Sequence, residues 1–138
     1  MNKLNKVLLF LLVSFTGMAQ YNMVLNFQNN IRSYYDLEDY TISQSLTLEA
    51  QSWADYIASE DSLIISTDMY GETLHRTQII PGYTAADYYL DAAVGWAVGC
   101  NDPGYYQTTC IDCTQVGYGM AEKNNFIYVV AKYDKLYE

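Results

Sequence analysis

The chain has a single histidine, His75, and a glutamate three positions before it, Glu72, in the stretch DMYGETLHR. A carboxylate and an imidazole could transfer protons or bind a metal ion if they converged. The stretch is expected to be a loop, where this spacing does not force convergence. Zinc needs about three protein ligands, so a carboxylate such as Asp112 would have to complete the set. The simpler interpretation is an exposed histidine, with Glu72 accepting backbone N–H bonds after Gly71.

Three cysteines, Cys100, Cys110 and Cys113, form the second group of reactive residues. An odd number in an exported protein predicts one bridge and one remaining thiol. A Cys100–Cys110 bridge would close a short loop, and Cys110–Cys113 is a tighter alternative. A redox centre is normally followed by a helix, and zinc would need a fourth ligand nearby. We predict a Cys100–Cys110 bridge, with Cys113 starting a strand as a free thiol that could form a disulfide-linked dimer.

The first nineteen residues have the layout of a secretory signal peptide, with two lysines, an apolar run over 7–15 and small residues up to Ala19. The apolar run is too short to span a bilayer as a permanent helix. We therefore expect residues 1–19 to be a signal peptide and residues 20–138 to form one domain.

The charge of the chain excludes some partners. Sixteen acidic residues face seven basic ones, for a net charge of −9, and without Lys3 and Lys6 the charge is −11. A chain this acidic repels nucleic acid and anionic membrane surfaces. The fifteen tyrosines suit surfaces that contact partners or sugars, and equally the rim of a core.

Hydrophobic periodicity predicts the elements that position these residues. Helices are predicted over 22–35 and 46–58, the second capped by Ser45 and carrying Trp53 in the core. A third helix runs from Thr84 to about Trp96.

The remaining elements are predicted to be strands and turns. A short strand is predicted at 62–66, a loop at 101–104, and strands over 113–122 and 126–133 joined by a turn at 123–125. This order predicts an α+β domain with helices packed over a small antiparallel sheet.

Five short motifs in this order resemble the CAP superfamily, which includes cysteine-rich secretory proteins, antigen 5 and pathogenesis-related proteins. They are NNIR, LTLEAQSWADYIA, YGETL, VGYGMA and FIYVVAKYD. The resemblance implies a CAP-type three-layer α-β-α sandwich over nearly all of residues 20–138. The positions that carry the match include Asn29, Arg32, Trp53, Tyr70, Gly71, Gly117, Gly119 and Tyr133.

The resemblance also implies a cleft that holds two histidines and two glutamates in typical members, with zinc in some. Glu72 matches the first glutamate, but Ile65 stands at the position of the first histidine. The second histidine falls on Asp112 or near Asp102, depending on the alignment, and the second glutamate falls on position 92 or 99, neither of which is acidic. We therefore expect no metal site and no cofactor.

These features favour a secreted, non-catalytic binding protein. The resemblance implies extracellular roles, with lipid or sterol binding in some members and protein partners in others. One alternative is a secreted hydrolase that uses the altered cleft, although the titratable pair needed for general acid–base chemistry is missing. The other alternative is a surface component that associates with itself through Cys113.

Overall fold

The computed structural model describes residues 19–98 and 102–137. Its strands form one sheet in the order β1-β3-β4-β2, in which only the pair β1–β3 is parallel. In chain order the elements are α1 (Asn22–Tyr34), β1 (Thr41–Ile42), α2 (Gln44–Ser59), β2 (Gly71–Gln78), α3 (Ala85–Ala97), α4 (Pro103–Thr108), β3 (Gln115–Lys123) and β4 (Phe126–Tyr133). Residues 1–18 of the expected signal peptide lie outside the described part of the chain.

Helices cover both faces of the sheet. Alternate side chains of strand β4 therefore belong to two different cores. Val129, Ala131 and Tyr133 belong to the core on the side of α1 and α3. Tyr128 and Val130 belong to the second core, beneath α2. The predicted α+β fold, a three-layer sandwich, is therefore confirmed. Within the described ranges, none of the helices has the length and apolar character that a membrane crossing requires.

Two glycines of β3 allow α2 to lie directly on the sheet. A Cβ atom on Gly117 would stand 2.1 Å from the backbone nitrogen of Thr47, and one on Gly119 would stand 2.4 Å from that of Gln51. Any side chain at these positions would push the helix away. The family match at these two positions is therefore a packing requirement.

Helices α1, α2 and α3 lie close to their predicted ranges, but a cap and a tryptophan differ from the prediction. Ser43, rather than Ser45, caps α2 by accepting a hydrogen bond from the backbone of Leu46. Trp53 is only half-buried beside α2's core, and its indole nitrogen donates to the carbonyl of Ile64. Trp96, at the end of the third helix, is the buried tryptophan.

The strand predictions were less accurate. Residues 62–66 form no strand, and the expected loop around Glu72 is strand β2, which pairs with β4 along its whole length. The sequence GETLHRTQ lacks an apolar face because β2 is an edge strand, so its strand character does not show in periodicity. The expected loop at 101–104 also differs, because Asp102 caps helix α4 and Pro103 occupies its first position.

Candidate functional site

Glu72 lies in a buried charge cluster centred on Lys132. The Nζ atom of Lys132 donates to Glu72 Oε1 at 2.6 Å, to Asp68 Oδ2 at 2.6 Å and to Ser66 Oγ at 2.8 Å. The other oxygen of Glu72, Oε2, accepts the backbone N–H of Ser66 at 2.9 Å. All three protons of the ammonium group are thus used, and both oxygens of Glu72 are occupied.

This cluster clamps residues 66–68 to the sheet. Register explains the geometry, since Glu72 on β2 pairs directly with Lys132 on β4. Partial burial raises the pKa of the Asp68 carboxyl, but hydrogen bonds from Lys132 and Tyr70 outweigh it and leave the pKa below its usual value. The cluster therefore holds the carboxylates of Asp68 and Glu72 in place around Lys132.

A groove of about 300 Å³ lies beside Glu72, between strand β2, the end of α3 and the start of α4. Its lining residues include Glu72, Ile65, Asp102 and Trp96. Ile65, which stands at the position expected for the first family histidine, therefore lines the groove. Asp102 faces it too, but its Oδ1 accepts the N–H of Gly104 as the cap of α4. Asp112 lies in a different depression, with Met69, Asp134 and Leu136. The structure thus brings Glu72 and Asp102 to one groove and leaves Asp112 outside it.

His75 does not join Glu72. Three residues apart on a strand, their side chains lie on opposite faces of the sheet. His75 Nε2 is instead 3.2 Å from Asp91 Oδ2 on α3, and both side chains are partly exposed. Within residues 19–98 and 102–137, no group of three or more His, Cys, Asp or Glu side chains could hold a metal ion.

Asn29 and Arg32 organise the backbone on the side of α1. The guanidinium of Arg32 is buried, lies 3.9 Å from the ring centre of Tyr40, and donates to four carbonyl groups. The side chain of Asn29 bonds both backbone groups of Tyr40. The four carbonyl groups that Arg32 binds are those of Glu38, Thr108, Cys110 and Cys113.

The disulfide differs from the prediction. Cys110 is paired with Cys113, with their Cα atoms 5.4 Å apart, so Cys113 is neither free nor exposed. Helix α4 ends at the cap Thr109, the chain bends at residues 111 and 112, and Arg32 holds the carbonyls of both cysteines. This arrangement makes the tighter bridge the favoured one. Cys100, the predicted partner, lies outside the described residues.

Among the remaining family-motif residues, Gly71 and Tyr133 have packing and hydrogen-bonding roles, and Tyr70 lies at the surface. A Cβ atom on Gly71 would stand 2.3 Å from the carbonyl oxygen of Lys135, so a larger residue would displace the carboxyl-terminal segment. The hydroxyl of Tyr133 is buried and hydrogen-bonded to Gln28 and Thr73. Tyr70 is exposed, two residues beyond the clamped segment 66–68.

A second groove, which the sequence patterns did not indicate, lies between α1, α3 and α4. Its volume is about 440 Å³, and its walls are mainly apolar and aromatic. We call it the tyrosine groove, and it is lined by Phe27, Asn30, Ile31, Tyr34, Tyr35, Ala97 and Tyr105. The apolar stripe predicted for α1 supplies Phe27, Ile31 and Tyr34, while the helix turns Val24, Gln28 and Arg32 to the interior.

Five tyrosines extend from this groove across the surface. Their ring centres follow one another at 5.0, 6.3, 6.4 and 5.5 Å, in the order Tyr34, Tyr35, Tyr105, Tyr106, Tyr137. The hydroxyls of Tyr35 and Tyr105 are hydrogen-bonded to each other. The row of rings combines tyrosines from three parts of the chain that are far apart in sequence. A local sequence pattern could not have indicated it.

The four-stranded sheet with helices on both faces is the three-layer sandwich that the CAP resemblance implied. The family model for the cysteine-rich secretory protein family, CAP, matches residues 25–133. The chain therefore belongs to the CAP family. Its members are mostly secreted binding proteins and are generally non-catalytic. No match was found among curated protein sequences.

Solved structures agree on the fold. The crystal structure of MpPR-1i has 18% identity and a TM-score of 0.63, with 85% of this chain and 87% of that chain covered. The structure of NaASP2 with Zn²⁺ has 15% identity and a TM-score of 0.64, with 84% and 83% covered. An outer surface protein from Borrelia burgdorferi has 11% identity and a TM-score of 0.64, with 86% and 93% covered. At such identities, the likeness concerns the fold alone.

Proposed function

We propose that this chain is a secreted, non-catalytic binding protein whose ligand is a neutral apolar molecule of the lipid or sterol type. The observation that carries the proposal is the tyrosine groove. Its volume and its apolar, aromatic lining are typical of small-molecule sites, in which a few polar groups orient the ligand. Here those polar groups are the paired hydroxyls of Tyr35 and Tyr105 and the amide of Asn30.

The helices around the groove favour a neutral ligand. Helix α1 ends at Tyr34 and α3 ends at Ala97, and both residues line the groove. Helix carboxyl-terminal ends carry partial negative charge and expose carbonyl groups. A carboxylate would be repelled there, whereas a hydroxyl can donate a hydrogen bond. A sterol hydroxyl therefore suits this site better than an ionised fatty acid.

The cleft supports a non-catalytic role. General acid–base catalysis needs a titratable group that can reach a substrate. Both oxygens of Glu72 are bound by protein groups, and the Asp102 carboxylate caps a helix. Within this cleft, the hydrolase alternative therefore has no specific observation in its favour. Self-association through a Cys113 thiol is not retained, because Cys113 is bridged.

Export is part of the same proposal. Residues 1–19 would be removed as a signal peptide, and residues 20–138 would act as one extracellular CAP domain. The internal disulfide fits an oxidising compartment, in which such bonds persist.

Lipid extraction of the secreted protein, read by mass spectrometry, tests the proposal. Titration with a fluorescent sterol and a fluorescent fatty acid then separates the two ligand classes. Tyr34→Ser and Ile31→Asn should weaken sterol binding by about tenfold, since each removes apolar contact area. Val94→Ser, an exposed position elsewhere on α3, is the control and should change nothing. Equal weakening by Val94→Ser, or the absence of any bound lipid or sterol, would contradict the proposal.

A further inference from the structure

Three bulky apolar side chains from three separate loops meet in one depression of about 500 Å³. We call Met69, Ile111 and Leu136 the loop-tip patch. Their exposed fractions are 92%, 78% and 60%, which are high for residues of this kind. Single exposed apolar residues are ordinary, but apolar residues grouped on one surface mark interaction sites.

The three loops that carry the patch are held by hydrogen bonds and a disulfide. The exposure of the three apolar side chains is therefore not due to a loosely held backbone. Met69 follows Asp68, which is bound by Lys132 and accepts the N–H of Tyr70. Ile111 lies within the four-residue disulfide loop, whose two cysteine carbonyls are bound by Arg32.

Leu136 is held in a similar way. The side chain of Gln107 donates to the carbonyl of Lys135 at 2.8 Å and accepts the N–H of Tyr137 at 3.2 Å. Each of the three apolar residues is thus next to a residue whose backbone or side chain is held by hydrogen bonds. A surface organised in advance loses little conformational freedom when a partner binds.

The charge around the patch selects the partner. Asp112 and Asp134 line the depression, with Lys135 as the only cation among its lining residues. The guanidinium of Arg32 binds the carbonyls of Glu38, Cys110 and Cys113, so it links the disulfide loop to the exposed acidic run Asp36, Glu38 and Asp39. A second copy of this chain, with its net charge of −9, would be repelled. An anionic membrane would be repelled too.

We propose that the loop-tip patch is a docking surface for a basic segment of a partner protein, in which a bulky apolar side chain is flanked by lysine or arginine. The apolar side chain enters the depression between Met69, Ile111 and Leu136. The flanking cations face Asp112 and the acidic run. The depression shares no lining residue with the tyrosine groove, but Ile111 also lines a small depression with Tyr35 and Tyr105. Met69 lies outside that small depression, so the effect of Met69→Ser does not depend on the proposed apolar ligand.

Selection from a phage library of short random peptides tests the proposal on the mature protein. The selected peptides should combine basic residues with Leu, Ile or Phe. Their binding should weaken by about tenfold or more in Ile111→Ser and in Met69→Ser, because central apolar contacts dominate such interfaces. Asp112→Asn should weaken binding less, and raising the salt concentration should weaken it in the wild type.

Leu48→Ser provides the matched control, because Leu48 is 67% exposed on α2, outside the patch. It should leave the affinity unchanged, and thermal melting should show that every variant is folded. Peptides that bind Ile111→Ser as well as the wild type, or that lack basic residues, would overturn the proposal. So would a dimer in sedimentation, or binding to phosphatidylcholine vesicles, that Ile111→Ser abolishes.

Discussion

The Nζ atom of Lys132 lies 2.6 Å from Oε1 of Glu72, and the side chains are only 1% and 6% exposed. Glu72 is the residue that the sequence resemblance matches to the first glutamate of the family cleft. Each charge stabilises the other in the folded state, since a buried charge is tolerated only when it is paired and hydrogen-bonded.

Lys132→Met should destabilise the protein by about 3–5 kcal/mol, because Glu72 would be left buried without its counter-ion. Urea unfolding at neutral pH measures the change. Adding Glu72→Gln to this variant should recover part of the loss, and Lys123→Met, at an exposed lysine of the same hairpin, should have little effect. A loss below about 1 kcal/mol for Lys132→Met would contradict the interpretation.

Zinc should bind at about micromolar affinity or more weakly, because zinc requires about three protein ligands. Glu72 is occupied, His75 is paired with Asp91 on the opposite face of the sheet, and Asp112 lies elsewhere. Calorimetry at neutral pH measures the affinity. A tight one-to-one isotherm that is lost in Glu72→Ala would refute the prediction.

Arg32→Lys should cost about 3 kcal/mol or more in free energy of unfolding, because an ammonium group cannot reach all the carbonyls that the planar guanidinium binds. The variant should also loosen the disulfide loop, which hydrogen exchange of its amides would detect. Arg76→Lys is the matched control, since Arg76 is exposed on β2 above the ring of Phe126. Equal effects of the two substitutions would argue against a special role for Arg32.

Peptide mapping of the non-reduced, alkylated protein should find Cys110 linked to Cys113, with the label on Cys100. A Cys100–Cys110 peptide with label on Cys113 would instead support the pairing predicted from sequence. Cys113→Ser should destabilise the chain by about 2 kcal/mol in the chain-entropy model, because the bridge closes a very short loop. Chemical denaturation with and without reductant provides the comparison.

Alkaline pH should unfold the protein through its buried tyrosines. Burial raises the pKa of Tyr133 to about 12 and holds that of Tyr118 well above its usual value of 10.0. Since the unfolded chain ionises near 10 and the folded chain does not, this contribution to stability is complete below pH 10 and falls as pH rises towards about 12. Tyrosinate absorbance should therefore rise in two stages, with the second coinciding with loss of circular dichroism. One stage near the ordinary value in a folded protein would contradict this.

Local sequence patterns determined much of the fold. Helix α3 begins after the predicted cap Thr84, and strand β4 spans the predicted residues 126–133. The turn between the final strands is made by Asn124 and Asn125, both with positive φ, as asparagine tolerates. These features depend on residues within a few positions of one another, so periodicity and capping suffice to predict them. The five family motifs then indicated the sandwich as a whole.

The tertiary structure decided what depends on residues far apart in the chain. Glu72 meets Lys132 only because β2 pairs with β4 in one particular register. The polar strand β2 forms because β4 supplies its hydrogen bonds. The sequence of β2 has no apolar alternation from which a strand could be predicted. Tyr35 meets Tyr105 because the end of α1 lies next to α4. Ring contacts, buried ion pairs and the choice between two disulfides depend on the three-dimensional path of the chain, which composition and spacing do not specify.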